Sequence, residues 1–247
     1  MGLPNSNSFQ WRDCQIGITG ASGTLGRSLA KYLREKGAYI VGFTHQSTKS
    51  QQNDLDNGPH EWVQWECGKE KDLNEKLNNL DILIINHGIN LKGLQNSKAI
   101  NDSLEINALS SWRLIELFEE IIYSRSENQS PKKEVWINTS EAEIQPALSP
   151  TYEISKRLIG DLVTIKATNQ TQLQKNKLII RKLILGPFKS NLNPWGLMTS
   201  NLVARQIIKQ VELNCKLIIV TPNPITYIIM PINEFCKKLY SKLMNQF

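Results

Sequence analysis

The sequence has few cysteines, few histidines and no long apolar run. Its four cysteines, Cys14, Cys67, Cys215 and Cys236, lie far apart and form no CxxC pair, which argues against a zinc or other metal site and against a disulfide scaffold. No run of about 18 apolar residues occurs, so no membrane-spanning helix is expected. Residues 1–13 contain no apolar segment and are typical of a flexible N-terminus without a signal peptide, so we expect a cytoplasmic protein.

The charge balance is mildly basic, with 29 Lys and Arg against 23 Asp and Glu. The basic residues are scattered and are not interleaved with aromatics, so nucleic-acid binding is not expected. A small positive excess suits a phosphate-rich small molecule instead. The chain has 247 residues, of which 40% are hydrophobic, so we expect one large domain over residues 1–247.

Short apolar runs alternate with longer amphipathic stretches. The runs predict strands at 15–19, 39–43, 61–65, 82–86, 134–138, 177–185 and 216–221, and the stretches predict helices at 24–36, 69–79, about 97–123, 150–168 and 199–213. Several of the runs lack polar alternation, as strands buried on both faces of a parallel sheet do. The pattern therefore predicts an α/β protein with a Rossmann-type, doubly wound parallel sheet of about seven strands and helices on both faces.

A glycine-rich turn follows the first predicted strand. Gly20 permits a tight turn, Gly23 lets backbone N–H groups approach a pyrophosphate, and Gly26 lets the next helix pack closely. With Ser22, Thr24 and Leu25 these residues form the predicted phosphate-binding loop of a dinucleotide site.

The second strand ends in Thr44 and His45 without the acid that favours NAD(H). We therefore expect NADP(H), with Thr44, His45, Arg27 or Lys49 near its 2′-phosphate, and keep NAD(H) as the alternative.

Two Tyr–Lys pairs share the spacing of one helical turn: Tyr152 with Lys156, and Tyr32 with Lys36. Such a pair places a phenol and an ammonium on one helix face, and a nearby ammonium lowers the pKa of a phenol. Only Tyr152 follows a buried strand that ends in hydroxyl residues, at the edge where open α/β sheets bind ligands. The first pair therefore predicts catalysis and the second a structural role.

Together these motifs resemble the single-domain branch of the short-chain dehydrogenase/reductase family, over about residues 15–221. The resemblance implies hydride transfer between a nicotinamide and a carbonyl or alcohol substrate. It implies that Tyr152 exchanges the proton, Lys156 holds the ribose, Ser140 binds the substrate oxygen and Asn107 holds a water. The cofactor would also contact residues after the fourth and sixth strands, namely Asn86, His87, Gly88, Gly186, Phe188 and Ser190.

Several departures leave alternatives open. His87 replaces an alanine of the family pattern, the acid expected after the third strand is unclear around Glu66, and Thr139 competes with Ser140. The protein could instead be a non-catalytic NADP(H)-binding regulator or a sugar-nucleotide epimerase-like enzyme.

Two loop segments also allow two interpretations each. Glu141 and Glu143 suit either substrate contacts or solvated loop positions. Trp195, Leu197 and Met198 suit either an apolar lid or helix packing.

The segment 222–247 combines apolar residues with Lys237, Lys238 and Lys242. Three interpretations fit it: a last helix packed on the sheet, a subunit contact in a homodimer or homotetramer, and an amphipathic helix in peripheral contact with a membrane.

The two Tyr–Lys pairs predict opposite outcomes for the same substitution. Tyr152→Phe removes the proton-exchanging hydroxyl, so turnover is expected to vanish while cofactor binding is kept. Tyr32→Phe is the matched control and is expected to be nearly silent. Turnover assays with parallel cofactor titrations test both, and retained turnover in Tyr152→Phe would contradict the assignment.

Overall fold

A computed structural model describes residues 10–47, 58–125 and 131–244. Residues 1–9 of the predicted flexible N-terminus, and Lys49 of the predicted 2′-phosphate contacts, lie outside these described residues.

Seven parallel strands form one sheet in the order β3-β2-β1-β4-β5-β6-β7. Their bounds are β1 Gln15–Thr19, β2 Tyr39–Thr44, β3 Glu61–Gln64, β4 Ile82–Ile85, β5 Lys133–Ser140, β6 Leu178–Leu185 and β7 Leu217–Val220. All seven predicted strands are present, and the predicted Rossmann-type fold is confirmed. The prediction succeeded because strands covered on both faces are apolar at nearly every position.

Eight α-helices connect or flank the strands within the described residues. They are α1 Thr24–Glu35, α2 Asn74–Asn78, α3 Ser97–Leu104, α4 Ser110–Tyr123, α5 Pro150–Asn169, α6 Gln172–Lys177, α7 Ser200–Glu212 and α8 Thr226–Met244. The helix predicted over about 97–123 is divided by a π-helical segment, Glu105–Leu109. Helix α6 was not predicted; it is a short polar helix that begins with a capping box at Thr171.

The core has two layers, one on each face of the sheet. Helices α1 and α7 cover one face, where Trp136 packs edge-on against Trp11 with ring centroids 6.1 Å apart. Helices α2, α4 and α5 cover the other face around Phe118. Strand order reverses between β1 and β4, so the loops after these two strands diverge and open a crevice at the carboxyl edge of the sheet.

Helix α8 packs beside α5 and is held by a buried ionic cluster. Lys182 of β6 donates to Glu143 at 2.7 Å and to Glu234 of α8 at 2.6 Å, and all three side chains are buried. Thr164 of α5 also donates to Glu234, at 2.8 Å. Burial raises the pKa of Glu143, and Lys182 opposes that rise. In the part of the chain that the structure describes, no helix is long and apolar enough to cross a membrane.

Removing the single cation of this cluster tests its contribution to stability. Lys182→Ala leaves two buried carboxylates without their ion pair, so unfolding free energy is expected to fall by about 3–5 kcal/mol. Lys238→Ala, at an exposed position of α8, is the matched control and is expected to change stability by less than about 0.5 kcal/mol. Urea unfolding of both variants measures the difference, and equal midpoints would show that the cluster does not stabilise the fold.

Candidate active site

The glycine loop forms a tight turn between β1 and α1. Gly20 has φ +62°, and the N–H of Gly23 donates to the Gly20 carbonyl at 3.0 Å. A Cβ at Gly26 would collide with the Gly20 carbonyl, which explains the close helix packing. Gly23 is exposed at the N-cap of α1 and provides no side-chain cap, so the first N–H groups of α1 are available to an anion. The loop therefore fits the pyrophosphate of a dinucleotide.

Thr19, the last residue of β1, ties the glycine loop to the loop after β4. Its buried hydroxyl accepts from the N–H groups of Asn86 at 2.9 Å and His87 at 3.3 Å. It also forms a 2.8 Å hydrogen bond with Nδ1 of His87. A Cβ at Gly20 would lie only 2.9 Å from the Cα of His87, so the two loops are in direct contact.

His87 fills the floor of the crevice with a neutral ring. Burial and then the charge of Lys156 lower its pKa to about 4. Its ring stands edge-on to Trp65 with centroids 5.3 Å apart. Among the described residues, its buried Nε2 atom has no hydrogen-bond partner. Alanine at this position, as in the family pattern, would not supply the bond to Thr19.

Ser140, Tyr152 and Lys156 come together at the carboxyl ends of β5 and the start of α5. The Ser140 hydroxyl hydrogen-bonds the Tyr152 phenol, and Nζ of Lys156 lies 5.7 Å from the centre of the Tyr152 ring. Thr139 points elsewhere and donates to the carbonyl of Leu183 at 3.0 Å. This geometry favours Ser140 over Thr139 as the hydroxyl beside the phenol, which is the choice the strand end predicted.

The pKa of Tyr152 differs in direction from the sequence expectation. Burial raises it, and the hydrogen bond from Ser140 only opposes that rise. Burial also lowers the pKa of Lys156 to about 8. The expected lowering by the ammonium is thus outweighed by desolvation of both groups.

Lys156 is oriented by Asn138, a residue that the sequence analysis did not select. Nζ of Lys156 donates to the Asn138 carbonyl at 3.0 Å, and the Asn138 side chain donates to Asn86 Oδ1 at 2.9 Å. A continuous polar chain therefore links the glycine loop, β4, β5 and α5. The available signal was an asparagine inside an otherwise apolar strand, two residues before Ser140.

Asn107 lies in the π-helical segment and is fully buried. Its side-chain oxygen accepts from the Ile89 N–H at 2.7 Å, and its Nδ2 donates to the Ile89 carbonyl at 3.0 Å and to Ser155 Oγ at 2.9 Å. Ser155 in turn donates to the Tyr152 carbonyl at 2.7 Å. The amide thus fixes the loop after β4 against the turn of α5 that carries Tyr152. A water-holding role for Asn107 stays a prediction.

The end of β2 lies beside the glycine loop. Thr44 is 1% exposed and its hydroxyl contacts Ser22 Oγ at 3.2 Å, so it is better placed to support Ser22 than to contact a phosphate itself. Arg27 is exposed on the first turn of α1 and donates to the Ser22 carbonyl at 3.0 Å. His45 is exposed nearby in sequence.

An acid after the third strand is present, but it is Glu70 and not Glu66. Glu66 is exposed and pairs with Lys69 at 2.8 Å. Glu70 is buried, accepts from Ser110 at 2.7 Å and pairs with Arg113 at 2.8 Å. Its oxygens are used to join the loop after β3 to α4, so it stabilises the fold beside the crevice.

Both alternatives for Glu143 were wrong, because it belongs to the buried cluster with Lys182 and is neither solvated nor open to a substrate. Glu141 accepts from Thr221 at 2.7 Å and from Thr226 at 3.0 Å, and so ties the loop after β5 to the start of α8. Trp195 and Leu197 are exposed and are not packed in a helix, whereas Met198 is in the core.

The loop after β6 carries the remaining predicted cofactor contacts. Gly186 packs against Thr221, and its N–H donates to Val220 at 2.9 Å. Phe188 forms a backbone bridge with Met198, and Ser190 accepts from the N–H of Asn193 at 3.2 Å.

The second Tyr–Lys pair lies away from the candidate site. Tyr32 packs against the core, and Lys36 pairs with Glu212 at 2.7 Å.

Comparison with known proteins assigns this arrangement to a family. Residues 16–206 match the model of the NAD dependent epimerase/dehydratase family. The chain belongs to that family. A curated relative, monoglucosyldiacylglycerol epimerase from Synechocystis sp., is 42% identical over 92% of this chain. The chain spans about half of that relative, 53% of its length.

Solved structures agree with the fold of this epimerase/dehydratase family member. A short chain dehydrogenase from Burkholderia cenocepacia in complex with NADP is 15% identical, with a TM-score of 0.75 over 95% of this chain and 99% of that one. The aldohexose dehydrogenase of Thermoplasma acidophilum is 14% identical, with a TM-score of 0.68 over 85% and 93%. The predicted short-chain dehydrogenase/reductase resemblance is confirmed, and so is a nicotinamide cofactor, since the family is NAD-dependent.

The buried ring of His87 predicts a specific loss of stability in acid. Its pKa is about 4 in the folded protein and 6.5 when exposed, so the unfolded chain binds the extra proton between these values and stability falls as the pH falls. At about pH 5 the loss is expected to be about 2 kcal/mol. His87→Gln should remove this part of the pH dependence, whereas His45→Gln, at an exposed position, should keep it.

Denaturant unfolding of the three proteins at about pH 7.5 and about pH 5 measures this difference. An unchanged pH dependence in His87→Gln would show that His87 is not buried in its neutral form.

Proposed function

We propose that this chain is the nicotinamide-dependent unit of an epimerase that inverts one hydroxyl-bearing carbon of a sugar carried on a glycerolipid. The observation that carries the proposal is the 42% identity with monoglucosyldiacylglycerol epimerase over nearly the whole chain. The chain is an enzyme of the epimerase and dehydrogenase superfamily, as expected. The proposal replaces the expected net hydride transfer to or from a carbonyl or alcohol substrate by a redox-neutral inversion. It differs from the sugar-nucleotide epimerase kept as an alternative in that the sugar is carried on a lipid.

The proposed reaction balances without an external oxidant. The hydroxyl carbon loses a hydride and its oxygen loses a proton to give a ketone, and both are returned with the hydride on the opposite face. A bound nicotinamide supplies the hydride acceptor and donor. Substrate and product therefore have the same oxidation state, and no reduced cofactor accumulates.

The chain's own residues would hold the sugar and move the proton. Tyr152 would take the proton from the sugar hydroxyl as its phenolate and return it. Because burial alone raises the pKa of Tyr152, this step needs the positive charge of an oxidised nicotinamide beside it. Ser140 would donate a hydrogen bond to the same sugar oxygen as its charge changes. Lys156, held by Asn138, binds the nicotinamide ribose. Asn107 fixes the loop after β4 against the start of α5 through its bonds to Ile89 and Ser155.

The choice of cofactor is proposed as NADP(H), with NAD(H) as the alternative. Arg27 supports this choice, because it is a cation fixed on the carbonyl of Ser22 beside the end of β2. The residues that follow β2 in the described structure, His45 and Gln46, provide no carboxylate for a ribose 2′-hydroxyl.

A net alcohol dehydrogenase is the second candidate. The arrangement of Tyr152 with Ser140 and Lys156 suits it, because the same proton exchange accompanies a single hydride transfer. A non-catalytic regulator is less well supported, since such a protein has no chemical need for a hydroxyl, a phenol and an ammonium in contact.

One assay separates these functions. The chain is incubated in detergent with a monoglucosyl diacylglycerol labelled with deuterium at the sugar carbons, together with NADP⁺ or NAD⁺. An epimerase inverts one carbon, retains its deuterium and accumulates no reduced cofactor. NMR of the sugar and absorbance of the cofactor give the two readouts.

Reduced cofactor formed one-to-one with a keto-sugar would identify the dehydrogenase instead. Cofactor binding without change in the sugar would refute the proposed substrate, and failure of both cofactors to shift the melting temperature would refute nicotinamide binding altogether.

A further inference from the structure

Helix α8 places its apolar side chains outward. Most of the exposed residues recur every three or four positions and form a stripe that begins just before the helix, here named the α8 stripe: Ile225, Ile228, Ile232, Phe235, Leu239 and Leu243. Tyr227, Ile229, Tyr240 and Met244 of the helix are exposed as well. Meanwhile the inward face buries Thr226 and Glu234 beside Met230. A helix that serves only to cover a sheet has the opposite pattern, and exposed apolar surface of this extent marks an interaction site.

This helix is not a loosely attached tail. Glu234 is fixed by Lys182 and Thr164, and the Thr226 hydroxyl bonds both Glu141 and Gln145, at 3.0 Å and 2.8 Å. Because Glu141 directly follows Ser140, the first turn of α8 is anchored to the loop that carries the site's hydroxyl. The inner face of α8 is bonded to the rest of the domain through Glu234 and Thr226. The α8 stripe on the outer face is therefore held in a fixed orientation, where a partner can contact it.

The charges around the stripe favour an anionic partner. Lys238 and Lys242 are exposed on one flank of it, and Tyr240 is exposed on the other. Apolar and aromatic residues beside lysines are typical of helices that lie in a bilayer interface. A second copy is less well matched, because an antiparallel twofold pair would bring both lysine flanks to the same side.

Two more apolar side chains are exposed in loops beside the candidate site. Leu148, in the loop after β5, is 96% exposed, and Trp195 in the loop after β6 is 89% exposed. Both loops leave the carboxyl edge of the sheet, where α8 also begins. The first residues of the α8 stripe and the loops of the candidate site thus lie at the same edge of the sheet.

We propose that the α8 stripe docks the protein on an anionic lipid surface, so that the carboxyl-edge crevice opens at the bilayer and receives a sugar headgroup whose acyl chains stay in the membrane. The sugar-lipid part rests on the proposed function. The docking part rests on the α8 stripe, its lysine flank and its position beside the site.

Vesicle binding without substrate tests the docking independently of turnover. The full chain is co-sedimented with phosphatidylcholine vesicles, with or without about a third of phosphatidylglycerol. Ile232→Gln combined with Leu239→Gln is expected to weaken binding by at least about tenfold. Leu213→Gln removes an exposed leucine at the C-cap of α7, on the face of the sheet opposite α5, and is the control for each of these substitutions made singly; it is expected to bind as the unchanged protein does.

Charge and orientation have their own readouts. Lys242→Glu is expected to weaken binding to anionic vesicles several-fold, whereas Lys216→Glu, exposed before β7, is not. Trp195 fluorescence is expected to be quenched by brominated acyl chains, and Trp195→Phe should lose this quenching.

Three results would overturn the proposal. One is equal pelleting of the α8 variant and the unchanged protein. Another is a vesicle-free dimer that the α8 variant converts to monomer, which would assign the stripe to a second copy. Binding without quenching of Trp195 would refute the orientation of the crevice. Epimerisation in detergent is unaffected by any of these, so the two proposals fail separately.

Discussion

The hydroxyl of Thr19 joins the ends of the two strands between which the sheet changes direction. A single oxygen accepts from the N–H groups of Asn86 and His87 and bonds the His87 ring, so the loops after β1 and β4 cannot move apart independently. Every other part of the candidate site is positioned relative to these loops. The uncapped start of α1 lies on one side of this contact, and the floor formed by His87 lies on the other.

From that contact a line of polar groups crosses the sheet to α5. Asn86 binds Asn138, and Asn138 binds Lys156, which stands beside Tyr152. Burial shifts the pKa values of the last two residues of this line, since it raises the pKa of Tyr152 and lowers that of Lys156. The candidate site therefore holds a phenol and an ammonium whose protonation is set largely by burial.

The fold could be predicted almost completely from the sequence, because strands covered on both faces leave uninterrupted apolar runs and glycine spacing marks the first turn. The candidate site was predictable where residues follow strand ends, as Ser140 and Tyr152 do. Features that depend on partners distant in sequence could not be predicted. The ion-pair partner of Glu143, Lys182, lies 39 residues away in sequence, and the π-helical segment at Asn107 coincides with bonds to Ile89 and Ser155. The direction of the Tyr152 pKa shift likewise depends on burial, which spacing does not reveal.

Gly160 lies in the middle of α5, where a glycine ordinarily weakens a helix by about 1 kcal/mol relative to alanine. Here the missing side chain is replaced by the carboxylate of Glu143, which occupies the space that a Cβ would fill. The Gly160 carbonyl also accepts from Lys182 at 2.9 Å. The side chains at positions 143 and 160 therefore compete for the same space. Among homologous chains, a larger residue at position 160 should accompany a shorter one at position 143, as a covarying pair.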